Sequence, residues 1–112
     1  MSPIVFNITE MLGHGFCIGP KDGKMIRDTI ERAMSSGNKV IVSFDGVVNL
    51  SPAFLHSSLG QLHLRHTEAE LQENFAIRDV PDGKKRVIER VILQTMEYSK
   101  KNIETERRRP AE

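Results

Sequence analysis

A chain of 112 residues has room for one domain with one modest hydrophobic core. Hydrophobic residues make up 38% and charged residues 28% of the chain, a balance that excludes both a disordered protein and an integral membrane protein. The 16 basic and 15 acidic side chains give a net charge of +1, so no overall field draws this protein to nucleic acid or to an anionic membrane.

Cys17 is the single cysteine of the sequence, which excludes an internal disulfide and a cysteine-based metal cluster. This usage is typical of a reducing compartment. The N-terminus has no cationic region followed by a long apolar stretch, and no window approaches the roughly 20 apolar residues of a spanning helix. We therefore expect a soluble, cytoplasmic protein.

The first part of the chain predicts two short strands and a helix. Residues 3–8 and 15–18 are short apolar runs on either side of the break Gly13-His14-Gly15. Residues 20–36 then carry apolar side chains at helical spacing, and Asp22 is a candidate N-cap. These features predict an amphipathic helix that ends before Gly37.

The best strand of the sequence is residues 40–44, a nearly continuous apolar run that is typical of a central strand covered on both faces. Asp45-Gly46 could form a tight hairpin turn. However, Ser51 is a good N-cap and Pro52 suits the first helical position, so we favour a strand-to-helix junction.

Two further helices and one strand complete the predicted fold. The helix from Pro52 ends between Leu64 and Glu70, residues 75–80 form a fourth strand, and a final helix covers about residues 82–103. The core-facing residues of the two helices are Leu55, Leu59 and Leu62 in the first, and Ile88, Val91, Ile92 and Thr95 in the last.

Alternation of strands and helices predicts one α/β domain over residues 1–103, a mixed sheet of about four strands with helices packed on it. Residues 104–112 mix three arginines with acidic residues and show no apolar periodicity, so we expect a disordered charged tail.

One stretch of the chain resembles a known family. The residues are Val40-Ile41-Val42-Ser43-Phe44-Asp45-Gly46-Val47, then Leu50-Ser51-Pro52-Ala53-Phe54 and Leu59-Gly60, with Asp22-Gly23 and Gly37 upstream. Together they resemble the STAS-like domains, a poorly characterised branch related to anti-anti-sigma factors. The resemblance covers about residues 15–65 and implies a STAS-like fold.

The resemblance also implies a regulatory role for Ser51. In anti-anti-sigma factors a serine or threonine follows the central strand at a helix start, and a partner kinase that doubles as an anti-sigma factor phosphorylates it. Ser51 occupies the corresponding place, which would make the chain a partner-switching protein. The alternative is that Ser51 only caps the helix, a role worth about 1 kcal/mol.

We therefore expect a non-enzymatic interaction module without a cofactor. Its protein partner, of the ATP-binding kinase-like or sigma-regulatory class that the resemblance implies, would meet the helix at Ser51 and the nearby Asn49, Ala53, His56 and Ser57. The alternative is a small-molecule or nucleotide sensor, although no phosphate-binding motif supports it. Apolar surface on the final helix could also form a homodimer.

Three other patterns favour ordinary structural roles. His56, His63 and His66 fall roughly on one side of a helix, but no carboxylate or thiolate completes a zinc site, so we expect solvated histidines. Cys17 lies three residues from His14, yet no motif supplies an oxyanion site, which favours a buried hydrophobe over a nucleophile. The basic runs at 84–86 and 107–109 are interleaved with acidic residues, and we expect them to be solvated.

Overall fold

A computed structural model describes residues 3–108 of the chain, with side-chain surroundings over residues 3–99. The elements follow in this order: β1 Ile4–Asn7, α1 Ile8–Leu12, β2 Phe16–Cys17, α2 Pro20–Ser35, β3 Val40–Ser43, β4 Asn49–Leu50, α3 Pro52–Leu55, a π-helical turn His56–Gly60, α4 Gln61–Arg65, α5 Glu68–Asn74, β5 Phe75–Arg78 and α6 Lys85–Arg108.

The strands form two small parallel sheets. In the main sheet β3 lies at the centre in the order β1-β3-β5, with Val40 opposite both Ile4 and Phe75, and β2 pairs with β4 separately. The α/β class and the central position of β3 are confirmed. The single mixed sheet of about four strands is not what forms, because helices connect the strands of the main sheet, and such crossovers favour parallel pairing.

Helix α2 confirms the predicted amphipathic helix, but a different residue caps it. Gly19 is the N-cap in extended conformation and Pro20 occupies the first turn, so Asp22 lies inside the helix rather than at its start. Proline fixes this start because its missing N–H costs nothing there. The chain leaves the helix through Gly37 at φ +86°.

The segment after β3 is a strand-to-helix junction, as predicted. The turn at Asp45-Gly46 closes with a hydrogen bond from the Val47 amide to the Phe44 carbonyl (3.1 Å), and β4 then pairs with β2 instead of returning along β3. Ser51 and Pro52 are the N-cap and first-turn residues of α3. The helix continues without a break to Arg65, inside the predicted interval.

The core lies between the main sheet and the helices α2 and α3 to α4. Strand β3 contributes Val40 and Val42 to it. Helix α6 packs on the π-helical turn, where a Cβ on Gly60 would come within 2.9 Å of Thr95 Oγ1. As predicted, α3 to α4 and α6 bury Leu55, Leu59, Leu62, Ile88, Val91 and Thr95, and Ile92 is partly buried.

Several helix positions also differ from the sequence-based expectation. Short helices α1 and α5 were not predicted, because each is shorter than the window in which helical periodicity shows. Helix α6 begins at Lys85 rather than at 82, since 81–84 form a turn with Gly83 at φ +84°. It continues to Arg108, beyond the predicted end at 103. Residues 109–112 lie outside the described residues, and disorder of the tail stays a prediction.

Candidate functional site

Ser51 uses both hydrogen-bonding functions of its hydroxyl. Its Oγ accepts from the Phe54 amide at 3.0 Å, which is the N-cap bond of α3, and it donates its proton to the carbonyl oxygen of Ile18. The Ser51 amide also donates to the Cys17 carbonyl at 2.9 Å. The residue therefore joins the start of α3 to strand β2.

Exposed apolar side chains surround this junction. On the small sheet Phe16 is 51% exposed, Ile18 is 48% exposed and Val48 is 58% exposed. Asn49, opposite Phe16 in the register, and Ala53 on α3 are exposed as well. Alternation along the paired strands puts Phe16, Ile18 and Asn49 on one face, whereas Val48, whose side chain lies beside Gly15, is on the other. We call the four residues Phe16, Ile18, Asn49 and Ala53 the helix-start surface. Its mixture of apolar and polar side chains suits contact with a protein.

His56 lies away from this sheet, against α6. With Ala53 it lines a groove of about 400 Å³ between α3 and α6, opposite Thr95 and Tyr98. The His56 Nδ1 is 3.1 Å from Thr95 Oγ1, which donates its own proton to the Val91 carbonyl at 2.7 Å. Because the threonine proton is already used, His56 Nδ1 donates, and its Nε2 is left as an acceptor in the neutral ring.

Ser57 faces in a third direction, towards α2. Its Oγ donates to the Phe54 carbonyl at 3.1 Å, and a Cβ on Gly23 would clash with this oxygen. The side chain is half-buried in this contact. Of the predicted contact residues, the structure thus brings Asn49, Ser51 and Ala53 together, connects Ala53 to His56 through the α6 groove, and places Ser57 in packing.

The three helical histidines have separate partners. His63 Nδ1 contacts the Leu59 carbonyl at 2.9 Å, whereas His66 lies between Glu31 (2.9 Å) and Glu70 (3.4 Å). Within the described residues no group of three or more metal-binding side chains forms a metal site. Of the three, only His56 is exposed, and the half-buried His63 and His66 are less solvated than expected because each is held by a protein partner.

Cys17 is fully buried on β2 and forms no disulfide. Burial, with a smaller contribution from the charge of Asp22, raises the pKa of its thiol from 9.0 to about 11. His14 does not activate it, because His14 Nδ1 accepts from the Phe16 amide at 3.0 Å. A neutral buried thiol is a poor nucleophile, as the interpretation of Cys17 as a buried hydrophobe requires.

A second, larger groove lies between α5, β5 and α6. Its volume is about 550 Å³, and we call it the β5 groove. Apolar side chains form most of its wall, and polar side chains stand at the α4 to α5 end. The lining residues are Leu59, Leu71, Phe75, Ala76, Ile77, Ile92 and Met96, with His63, His66, Glu68 and Gln72.

Sequence reasoning missed the β5 groove and the apolar part of the helix-start surface. The apolar run 15–18 predicted a strand. Within that run, alternation along the strand is the only signal that separates the buried Cys17 from the exposed Phe16 and Ile18. The β5 groove depends on α5, which periodicity did not reveal.

Across the described residues, the helices lack the combination of length and apolar content that a bilayer crossing requires.

Comparison with known proteins identifies one family. A family model described as a STAS-like domain of unknown function (DUF4325) matches residues 22–83, more than half of the chain. This region runs from the first turn of α2 to the turn before α6, and it contains Ser51 and most of the β5 groove. Searches of curated proteins and of solved structures give no match.

Proposed function

The chain belongs to the STAS-like family of domains of unknown function, and from that premise we propose that it is a non-enzymatic regulatory module that binds another protein through the helix-start surface. The observation that carries the proposal is the exposure of Phe16 and Ile18 beside the N-cap of α3. Apolar side chains grouped at the surface of a small protein mark interaction sites.

The role of Ser51 as a switch is supported by its hydrogen bonds. Phosphorylation would replace the proton that Ser51 Oγ donates to the Ile18 carbonyl, and it would add about −1.5 to −2 charges at that point. Repulsion between phosphate and carbonyl oxygens would separate the start of α3 from β2. The helix-start surface includes residues from both sides of this joint, so its shape would change while the core is unaffected.

The partner class follows from the family resemblance. We propose an ATP-binding kinase-like or sigma-regulatory protein, whose kinase activity would add the phosphate and release the complex. The free, buried Cys17 is compatible with the reducing cytoplasm, where we place this binding.

The experiment compares Ser51→Asp with Ser51→Asn in an affinity pull-down from the native cell extract, read by mass spectrometry. Aspartate and asparagine have nearly the same shape, and both are good N-caps, so the pair isolates negative charge. We expect the wild type and Ser51→Asn to capture the same partner, and Ser51→Asp to lose it at least tenfold, a change of about 1.4 kcal/mol.

A second pair of variants tests the surface. Ile18→Asp introduces a charge on the helix-start surface, where Ile18 is 48% exposed, whereas Leu93→Asp introduces one on α6, where Leu93 is 59% exposed. Ile18→Asp should lose the partner and Leu93→Asp should retain it, with circular dichroism melts confirming that both variants fold. Equal capture by all variants, or equal loss in Ser51→Asn and Ser51→Asp, contradicts the proposal.

A further inference from the structure

The β5 groove has the size and character of a small-molecule site. Its volume of about 550 Å³ falls within the range of roughly 300–1,000 Å³ that ligand pockets occupy. Its wall combines the fully packed Leu59 and Leu71 with the partly exposed Phe75, Ile77 and Met96. The floor of the groove is buried and its apolar wall is accessible, so the hydrocarbon body of a ligand would bury apolar surface there.

At the polar end, His63 is fixed in one tautomer. Its Nδ1 lies 2.9 Å from the carbonyl oxygen of Leu59, which can only accept, so Nδ1 carries the proton and donates. In the neutral ring the lone pair is then on Nε2. Among the described residues the structure gives this nitrogen no hydrogen-bond partner, so it offers an acceptor to a ligand in the groove.

Three other polar side chains, Glu68, Gln72 and His66, line this end of the groove. Glu68 is a carboxylate and only accepts, and the Gln72 side-chain amide already donates to it at 3.4 Å. His66 is held between Glu31 and Glu70, so both of its nitrogens are already engaged. The His66 ring lies between two carboxylates that balance its charge when both nitrogens donate, and Gln72 keeps one further N–H. The groups that remain for a ligand are mainly acceptors, the His63 Nε2 and the Glu68 carboxylate, and this carboxylate would repel an anionic head group.

We propose that the β5 groove binds a small amphipathic amine, with its hydrocarbon body against Leu71, Phe75 and Met96 and its ammonium group at His63 and Glu68. An ammonium group has three donors and no acceptor, which matches the acceptors at this end. Its hydrogen bond to the Glu68 carboxylate is charge-assisted and therefore stronger than a neutral one. The site is separate from the helix-start surface, so it stands independently of the proposed protein partner.

The test is a calorimetric titration of the full chain with octylamine, octanoate and octanol, which share a hydrocarbon chain and differ in head-group charge. We expect saturable one-site binding of octylammonium, at least about tenfold tighter than that of octanoate. Glu68→Gln should weaken octylammonium binding about tenfold. Glu73→Gln removes another exposed charge of α5, outside the groove, and should have no effect.

The apolar wall has its own pair of variants. Met96→Lys places a cation inside the groove and should abolish octylammonium binding, whereas Leu93→Lys changes an exposed residue of the same helix that does not line the groove. Both variants should melt as the wild type does. Octanoate that binds as tightly as octylammonium, equal effects of Met96→Lys and Leu93→Lys, or the absence of saturable octylammonium binding would each overturn the proposal.

Discussion

The start of α3 and the β5 groove differ in whether their polar groups already have hydrogen-bond partners within the protein. Ser51 donates one hydrogen bond and accepts another, and the buried Ser58 donates to the Phe54 carbonyl at 2.8 Å. In the groove, the described residues give His63 a hydrogen-bond partner for only one ring nitrogen. The first region is closed by its own hydrogen bonds, whereas the second retains both space and an acceptor.

Because of this difference, the two regions leave different groups available to a binding partner. Around α3, the polar atoms stabilise the junction between helix and strand, so a partner can use only the side chains that project from it. Around β5, the strand lies at the edge of the main sheet and α6 packs on the π-helical turn, which leaves a gap beside Phe75 to Ile77. Binding there would not require the core to open.

The largest effect on stability is expected from a matched pair of truncations, Phe54→Ala and Phe75→Ala. Phe54 is the fully buried phenylalanine of α3, and truncation of its side chain should lower the free energy of unfolding by about 3–5 kcal/mol. Phe75 is only partly buried in the groove wall, so we expect about half of that loss. Urea denaturation measures both. Equal losses would show that the groove is packed as tightly as the core.

A smaller effect is expected from Gly23→Ala. A Cβ at Gly23 would approach the Phe54 carbonyl oxygen to 2.5 Å, so α2 and α3 must move apart, at a cost of about 1–3 kcal/mol. Gly19→Ala is the control, because nothing lies within 4 Å of a Cβ there, and it should cost less than about 1 kcal/mol as an N-cap change. The comparison fails if both variants melt alike.

The smallest effect concerns Cys17, in the closed region. Its pKa is raised in the folded protein to about 11, so the folded state favours the neutral thiol. The stability that the neutral Cys17 thiol contributes is complete below the ordinary pKa of 9.0, and it is lost as the pH rises from there to about 11. Halfway through this pH interval, the free energy of unfolding should be lower by on the order of 1 kcal/mol.

Denaturation curves of the wild type and Cys17→Ala across that pH interval isolate this contribution, because lysines and tyrosine titrate equally in both proteins. The difference in unfolding free energy between the two should shrink as the pH rises. Iodoacetamide at pH values below 9.0 should label Cys17 only after unfolding. Rapid labelling of the native protein would contradict the closed character of this region.

Local sequence signals predicted what depends on local chemistry. Ser51 and Pro52 mark a helix start because a hydroxyl and a missing N–H satisfy the first turn, and the structure has them in those roles. The apolar run 40–44 predicted the central strand, and the leucines of the next helix its buried face. Asp22 failed as a cap because Pro20, two residues earlier, had already begun the helix.

Neighbouring residues alone predict the alternation of strands and helices, the central strand and the STAS-like family, since periodicity, turn residues and motifs are local properties. Tertiary packing pairs the strands into two parallel sheets, exposes Phe16 and Ile18 beside the buried Cys17, and brings His63 and Glu68 to the wall of one groove. Such relations depend on which elements pack together, and long-range packing is selected by the whole core rather than by any local run of residues.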